Sequence, residues 1–141
     1  MPDITATDRG NLISAAVKAR ENSHSPYSKF AVGAAVLGVD GKIYSGCNIE
    51  NVSYGLTNCA ERTAIFNMVS QGCKGFVAVA VSAGDKPSDS APCGACRQVM
   101  CEFAADFDNT AVFLCDKEGN CIEEKLSALC PYPFLRFNGQ E

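Results

Sequence analysis

A chain of 141 residues, 47% hydrophobic and 20% charged, has the length and composition of one folded domain covering residues 1–141, and neither disorder nor two separate cores fits it. Its formal net charge of −4 at pH 7 excludes affinity built on neutralising phosphates, so nucleic acid is not an expected partner and a small uncharged ligand is favoured. No apolar run reaches the ~18 residues that cross a bilayer, and the opening residues lack the basic and apolar regions of a secretory signal, so no membrane association and a cytoplasmic location are expected. In that compartment thiols stay reduced, and the nine cysteines are expected to bind metal or pack rather than form disulfides.

Thr7 or Asp8 is suited to cap a first helix that runs to about Asn22, with Leu12, Ala15, Ala16 and Ala19 at helical spacing. His24, the single histidine, lies in the polar turn that breaks this helix before Pro26, and no direct role is assigned to it. Phe30 to Leu37 is apolar at nearly every position, which predicts a strand covered on both faces. Ile43 to Cys47 follows across a turn containing Asp40-Gly41, giving a β-hairpin. Asn48 and Glu50 share one face if the chain stays extended, and by themselves read as the start of a solvated loop.

A second helix opens at Asn58 or Cys59 and ends at Gly72. Phe76 to Val81 is a second buried strand, Ala83 to Ala91 a polar loop, Cys93 to Phe103 a third helix and Ala111 to Cys115 a further strand. Asp116 to Asn120 is a turn, and Glu124 to Leu129 is read as a short helix before a Pro-rich tail. The order α, β, β, α, β, α, β predicts an α/β fold with a mixed sheet between helices. Both the second and third helices follow strands, so their N-termini emerge at one edge of the sheet, where open α/β sheets place their sites.

Cys59 opens the second helix and Pro92-Cys93-Gly94-Ala95-Cys96 opens the third, so three thiols can converge. Three thiolates leave zinc one open position, where water becomes acidic enough to ionise near pH 7. Helix N-termini favour the thiolate form. Glu61, two residues beyond Cys59, is placed to move protons, and Arg62 to offset the charge of the sulfurs. A structural zinc site would need a fourth protein ligand, for which Cys101, Cys130 or His24 is available, and it would have no use for Glu61. Cys47, Cys73, Cys101, Cys115, Cys121 and Cys130 are otherwise read as packing residues.

Four segments in order, Phe30-Ala-Val-Gly-Ala-Ala, Asn48-Ile-Glu-Asn51, Cys59-Ala-Glu-Arg-Thr-Ala64 and Pro92-Cys-Gly-Ala-Cys-Arg-Gln98, resemble the small, homotetrameric, three-cysteine cytidine deaminases over nearly the whole chain. The resemblance implies a three-layer α/β/α fold with a mixed five-stranded sheet, and Zn2+ on Cys59, Cys93 and Cys96. It further implies Glu61 as proton shuttle in the hydrolytic deamination of cytidine and deoxycytidine to uridine and deoxyuridine. Phe30 would pack on the nucleoside, Asn48 and Glu50 would bind its ribose, and the Ala60 backbone would contact the base. Tyr54 and Phe134 would be lent by a neighbouring subunit of a homotetramer. After Phe134 the sequence Leu-Arg-Phe-Asn-Gly departs from the acidic ending usual in that family. A blasticidin-type deaminase is the nearest alternative, against which Phe30 and Arg62 speak. A polynucleotide-editing deaminase is disfavoured by the acidic charge, and a non-catalytic zinc-stabilised binding module remains the alternative outside enzymes.

Overall fold

The computed structural model describes residues 4–135, so the first three residues and, beyond Leu135, the tail that departs from the family pattern lie outside the described residues. Helix α1 (Ala6–Ala19) is capped by Thr5, whose hydroxyl accepts from the Asp8 N–H at 3.0 Å. The cap thus precedes the expected Thr7 or Asp8, both of which lie within the first helical turns. The helix also stops before Asn22, its last residues tightening into a 3₁₀ turn over Arg20–Asn22.

Strands β1 (Gly33–Gly38) and β2 (Ile43–Cys47) form the expected hairpin, and Gly41 takes the positive φ of 83° that its turn requires. Helix α2 (Ala60–Ser70), strand β3 (Phe76–Ser82), helix α3 (Gly94–Phe103) and strand β4 (Ala111–Cys115) follow. The predicted helix over Glu124 to Leu129 is corrected: Cys121–Lys125 is strand β5, and only Leu126–Leu129 is helical, as α4. No residue of Cys-Ile-Glu-Glu-Lys is fully buried, and Glu123 and Lys125 are exposed, which marks an edge strand whose charges meet solvent, the usual protection of an open sheet edge.

The sheet order is β2-β1-β3-β4-β5, with β3 and β4 parallel and the remaining neighbours antiparallel. Side-chain alternation divides the strands between two layers of helix. Val36, Val79, Val81, Val112 and Leu114 pack against Ile65, Met68, Cys96, Met100 and Leu126 of α2, α3 and α4. Ala35, Leu37, Ala78, Ala80 and Phe113 pack against Leu12 and Ala16 of α1. Both faces are dry, which is why the central strands are apolar at nearly every position, Ser82 at the end of β3 being the exception. Among the described residues no helix is long and apolar enough to cross a membrane.

The reading of all cysteines as unpaired is corrected at one point. Cys115 and Cys121 are joined as a disulfide, because the β4–β5 register sets them directly opposite each other with Cα atoms 4.1 Å apart.

Topology decides where the site falls. Both β2 and β3 run antiparallel to β1, so they point the same way, and the helices that follow them begin at one edge of the sheet. Helix α2 lies so close to β2 that a Cβ on Gly46 would sit 2.4 Å from the Ala64 nitrogen. Only glycine admits that approach.

Candidate active site and metal centre

Cys59 and Cys93 occupy equivalent places. Each is the N-cap of its helix, with extended backbone (φ −73°, ψ 155° and φ −71°, ψ 170°), so each sulfur projects from a helix start toward the same point. The sulfurs of Cys59 and Cys93 are 3.9 Å apart, and with Cys96 all three lie within 4.8 Å of one another. A tetrahedral zinc with bonds of about 2.3 Å holds its sulfurs roughly 3.8 Å apart. The spacing and the soft donor set therefore fit zinc, and the cofactor of this protein is Zn2+. Among the described residues the cluster holds these three ligands and no fourth, so neither Cys101, Cys130 nor His24 closes it into a structural site.

Charge around the sulfurs is uneven. Arg62 Nη2 donates to Cys59 Sγ at 3.4 Å, and its Nε is buried without a partner. The Cys59 thiol is lowered to about 5, first by a hydrogen bond from Cys96 and then by Arg62. Cys96 shifts the opposite way, since it donates to Cys59 and is buried, so helix-start placement does not lower all the thiols as expected. Metal binding requires that this shared proton leave.

Glu61 sits in the first turn of α2, 5% exposed, and burial raises its carboxyl to about 7, with the charge of Cys59 adding to the effect. A carboxyl poised near neutrality takes up and returns protons readily.

A cleft of about 190 Å³ opens over the cluster. Phe30, Val32 and Asn48 form one wall, Thr57, Cys59, Ala60 and Glu61 the floor, and Ala83, Asp89, Ser90, Ala91 and Cys93 the other wall. Asn48 is almost fully engaged already: Nδ2 donates to the Phe30 carbonyl at 2.8 Å, and Oδ1 accepts from the Val32 N–H at 3.0 Å and from the Ser23 hydroxyl. One N–H of its amide remains to face the cleft. Glu50 lines an adjoining hollow with Tyr27, Ser28, Tyr54 and Thr57. Its carboxylate accepts from the N–H groups of Tyr27 and Ser28 and from the Ser28 hydroxyl, which holds it below the usual carboxylate range. Thr57 lines both spaces and joins them.

The structure thus brings Phe30, Asn48, Cys59, Ala60, Glu61 and Cys93 into one cleft, with Cys96 and Arg62 behind its floor. Tyr54 is 73% exposed beside the cleft, its ring 5.8 Å from that of Tyr27, and Phe134 is exposed on the tail, its carbonyl accepting from Gln98 Nε2 at 2.7 Å. Neither lines the cleft of its own chain. The wall from Ala83 to Ala91 was missed by sequence reasoning. Its one usable signal is Gly84-Asp85 followed by Pro87: Gly84 takes φ 72°, and Asp89 accepts from the N–H groups of Asp85 and Lys86, folding the polar loop back over the site.

A three-layer α/β/α sheet with three thiols and a buried glutamate at paired helix starts defines a zinc-dependent hydrolytic deaminase. The sequence pattern of the cytidine and deoxycytidylate deaminase zinc-binding region matches residues 6–113. A cytidine deaminase of Sporosarcina psychrophila is 50% identical over 129 residues, 92% of this chain and 93% of that protein. One of Halalkalibacterium halodurans is 50% identical over 127 residues, 90% and 94% of the two chains. The crystal structure of cytidine deaminase from Burkholderia pseudomallei superposes with a TM-score of 0.82 at 44% identity, covering 93% of this chain and 100% of that one. The chain belongs to the cytidine and deoxycytidylate deaminase family.

Proposed function

We propose that this protein is a cytidine deaminase, converting cytidine and deoxycytidine with water to uridine or deoxyuridine and ammonia. The observation that carries the proposal is Glu61: a buried carboxyl raised to about 7, beside a three-thiol cluster that leaves a metal one position free for substrate chemistry. Zinc on Cys59, Cys93 and Cys96 supplies a Lewis acid that lowers the pKa of water from 15.7 to roughly 7. Glu61 would accept the proton of the attacking water and pass it to the pyrimidine ring nitrogen, then take the proton of the hydroxyl now on C4 and deliver it to the amino group, which leaves as ammonia while the C4 carbonyl forms. Arg62 offsets the charge of the thiolates through its contact with Cys59.

Phe30 packs against the nucleoside, and the Ala60 backbone on the cleft floor meets the base. The remaining Asn48 N–H reaches the ribose. Glu50 binds the sugar through the adjoining hollow by exchanging its contacts with Tyr27 and Ser28. Among the described residues, those lining the cleft include Glu61 and Asp89 and no lysine or arginine, which suits an uncharged nucleoside and speaks against a polynucleotide. Tyr54 and Phe134 act in the cleft of a neighbouring subunit of a homotetramer, with Phe134 stacking on the base. Val52, Tyr54 and Leu56, 78%, 73% and 70% exposed beside the cleft, support such a contact. We place the enzyme in the cytoplasm, where the ligating thiols would stay reduced, although the Cys115–Cys121 disulfide is unusual for that compartment.

Loss of cytidine absorbance on mixing with purified protein tests the activity, repeated after zinc removal. Glu61→Gln is expected to keep zinc and fold while losing at least about a hundredfold in kcat. Near-normal turnover in that variant would sink the mechanism. A monomer mass by light scattering would remove the roles of Tyr54 and Phe134.

A further inference from the structure

The three ligand sulfurs are held with unequal firmness. Cys96 is fully buried within the core formed with Ile65 and Met100, and Cys59 packs against the same core. Cys93 is exposed, and a Cβ on the adjacent Gly94 would meet no atom within 4 Å. Packing holds this turn only at its start, where Pro92 is buried, and the Cys96 N–H donates to the Cys93 sulfur at 3.5 Å, while Cys93 and Gly94 themselves are exposed; a tetrahedral site tolerates little error in sulfur position.

Arg97 adds a second restraint on the exposed part of the turn. Its backbone N–H donates to the Cys93 carbonyl at 3.0 Å, and its side-chain Nε donates to the preceding Pro92 carbonyl at 2.8 Å. Nη1 of the same guanidinium donates to the Leu129 carbonyl at 2.7 Å. Leu129 closes α4, whose first residue, Leu126, is fully buried and donates its N–H to the Thr110 carbonyl at 3.0 Å. One rigid planar group thus links the turn before Cys93 to an anchored helix by short, charge-assisted bonds.

We propose that Arg97 is a positioning residue for the metal centre, its guanidinium bridging the Pro92 and Leu129 carbonyls so that the Cys93 sulfur is held ready for zinc. The inference rests on the assignment of zinc to Cys59, Cys93 and Cys96. Lysine cannot substitute: its ammonium is a single point on a flexible stem, whereas the bridge needs two donors at fixed spacing. Groups that orient metal ligands without binding the metal typically contribute 10–100-fold in metal affinity.

The test compares the zinc-loaded wild type with Arg97→Lys and Arg97→Gln, following zinc transfer to a chelating dye, kcat and KM with excess zinc, and melting of the zinc-free proteins. Both variants are expected to release zinc about tenfold faster or more. Excess zinc should restore kcat with KM unchanged, and the zinc-free proteins should melt within about 2 °C of wild type. A wild-type release rate in Arg97→Lys would show that charge alone suffices and would overturn the bridge. A large fall in zinc-free melting temperature would also overturn it, by making the effect a general loosening. A wild-type protein that binds no zinc would overturn the functional proposal and this one together, whereas equal retention by wild type and variants overturns this one alone.

Discussion

Replacing Gly46 by alanine tests whether the backbone contact between β2 and α2 sets the geometry of the site. The added methyl would sit 2.4 Å from the Ala64 nitrogen and 2.8 Å from the Thr63 carbonyl carbon, both backbone atoms of α2, while ordinary contact starts near 3.4 Å. Backbone cannot rotate aside as a side chain can, so the start of α2 must recede by about 1 Å, taking Cys59 away from Cys93 and tilting Glu61 out of the cleft. Overpacking of this kind costs about 1–3 kcal/mol, a fall of roughly 3–10 °C in melting temperature for a chain of this length. A displacement of ~1 Å at reacting groups can cost on the order of a hundredfold in rate. Thermal melts and steady-state kinetics on the zinc-loaded variant read both quantities. Gly10→Ala is the control, because its methyl would meet nothing within 4 Å in α1, and it should stabilise by about 0.5–1 kcal/mol without altering kcat. A Gly46→Ala protein that melts and turns over like wild type would show that α2 is free to recede, and would refute the reasoning.

Arg62→Gln should leave excess negative charge on the thiolates and lower zinc content or activity; unchanged values of both by metal analysis and kinetics would reduce Arg62 to a bystander. Asp116 gives a pH test of the fold. Its carboxylate accepts from the Glu118 and Asn120 N–H groups at 2.8 and 3.0 Å and from the Asn120 side chain at 3.0 Å, and these bonds lower its pKa in the folded state. The stabilisation is therefore present above the unfolded value of about 3.9 and is lost as pH falls through the lower folded value. The melting temperature of Asp116→Asn should approach that of wild type as pH drops below about 4, and a constant gap between the two from pH 7 to pH 2 would contradict the assignment.

The sheet and its helices were legible because burial on two faces forces an apolar code. Phe76-Val-Ala-Val-Ala-Val81 could hardly be anything but a covered strand, and it is one. Strand β5 was not legible for the converse reason: at the sheet edge, Glu123, Glu124 and Lys125 meet solvent, and local composition resembles helix as much as strand. The Cys115–Cys121 pairing depends on cross-strand register, which neither residue records. At the site, Cys59 and Cys93 could be placed from their helix starts alone, and Arg62 reaches the Cys59 sulfur as its spacing implied. Asn48 was harder to interpret, since its amide serves first to hold Phe30 and Val32, contacts visible only once the chain has folded. The Asp89 to Ala91 wall carries no residue that chemistry demands, only a backbone path.

The convergence of Cys59 and Cys93 also bears on the unfolded chain. These residues are 34 apart in sequence and belong to different helices, so an ion gripping both closes a loop much as a covalent cross-link would. For a loop of that length the chain-entropy estimate is on the order of 4 kcal/mol, a large part of the 5–15 kcal/mol that usually separates a folded domain from its denatured ensemble. The same thiols that serve the reaction therefore act as a staple for the fold, and a newly made chain acquires catalysis and much of its resistance to unfolding in a single binding event.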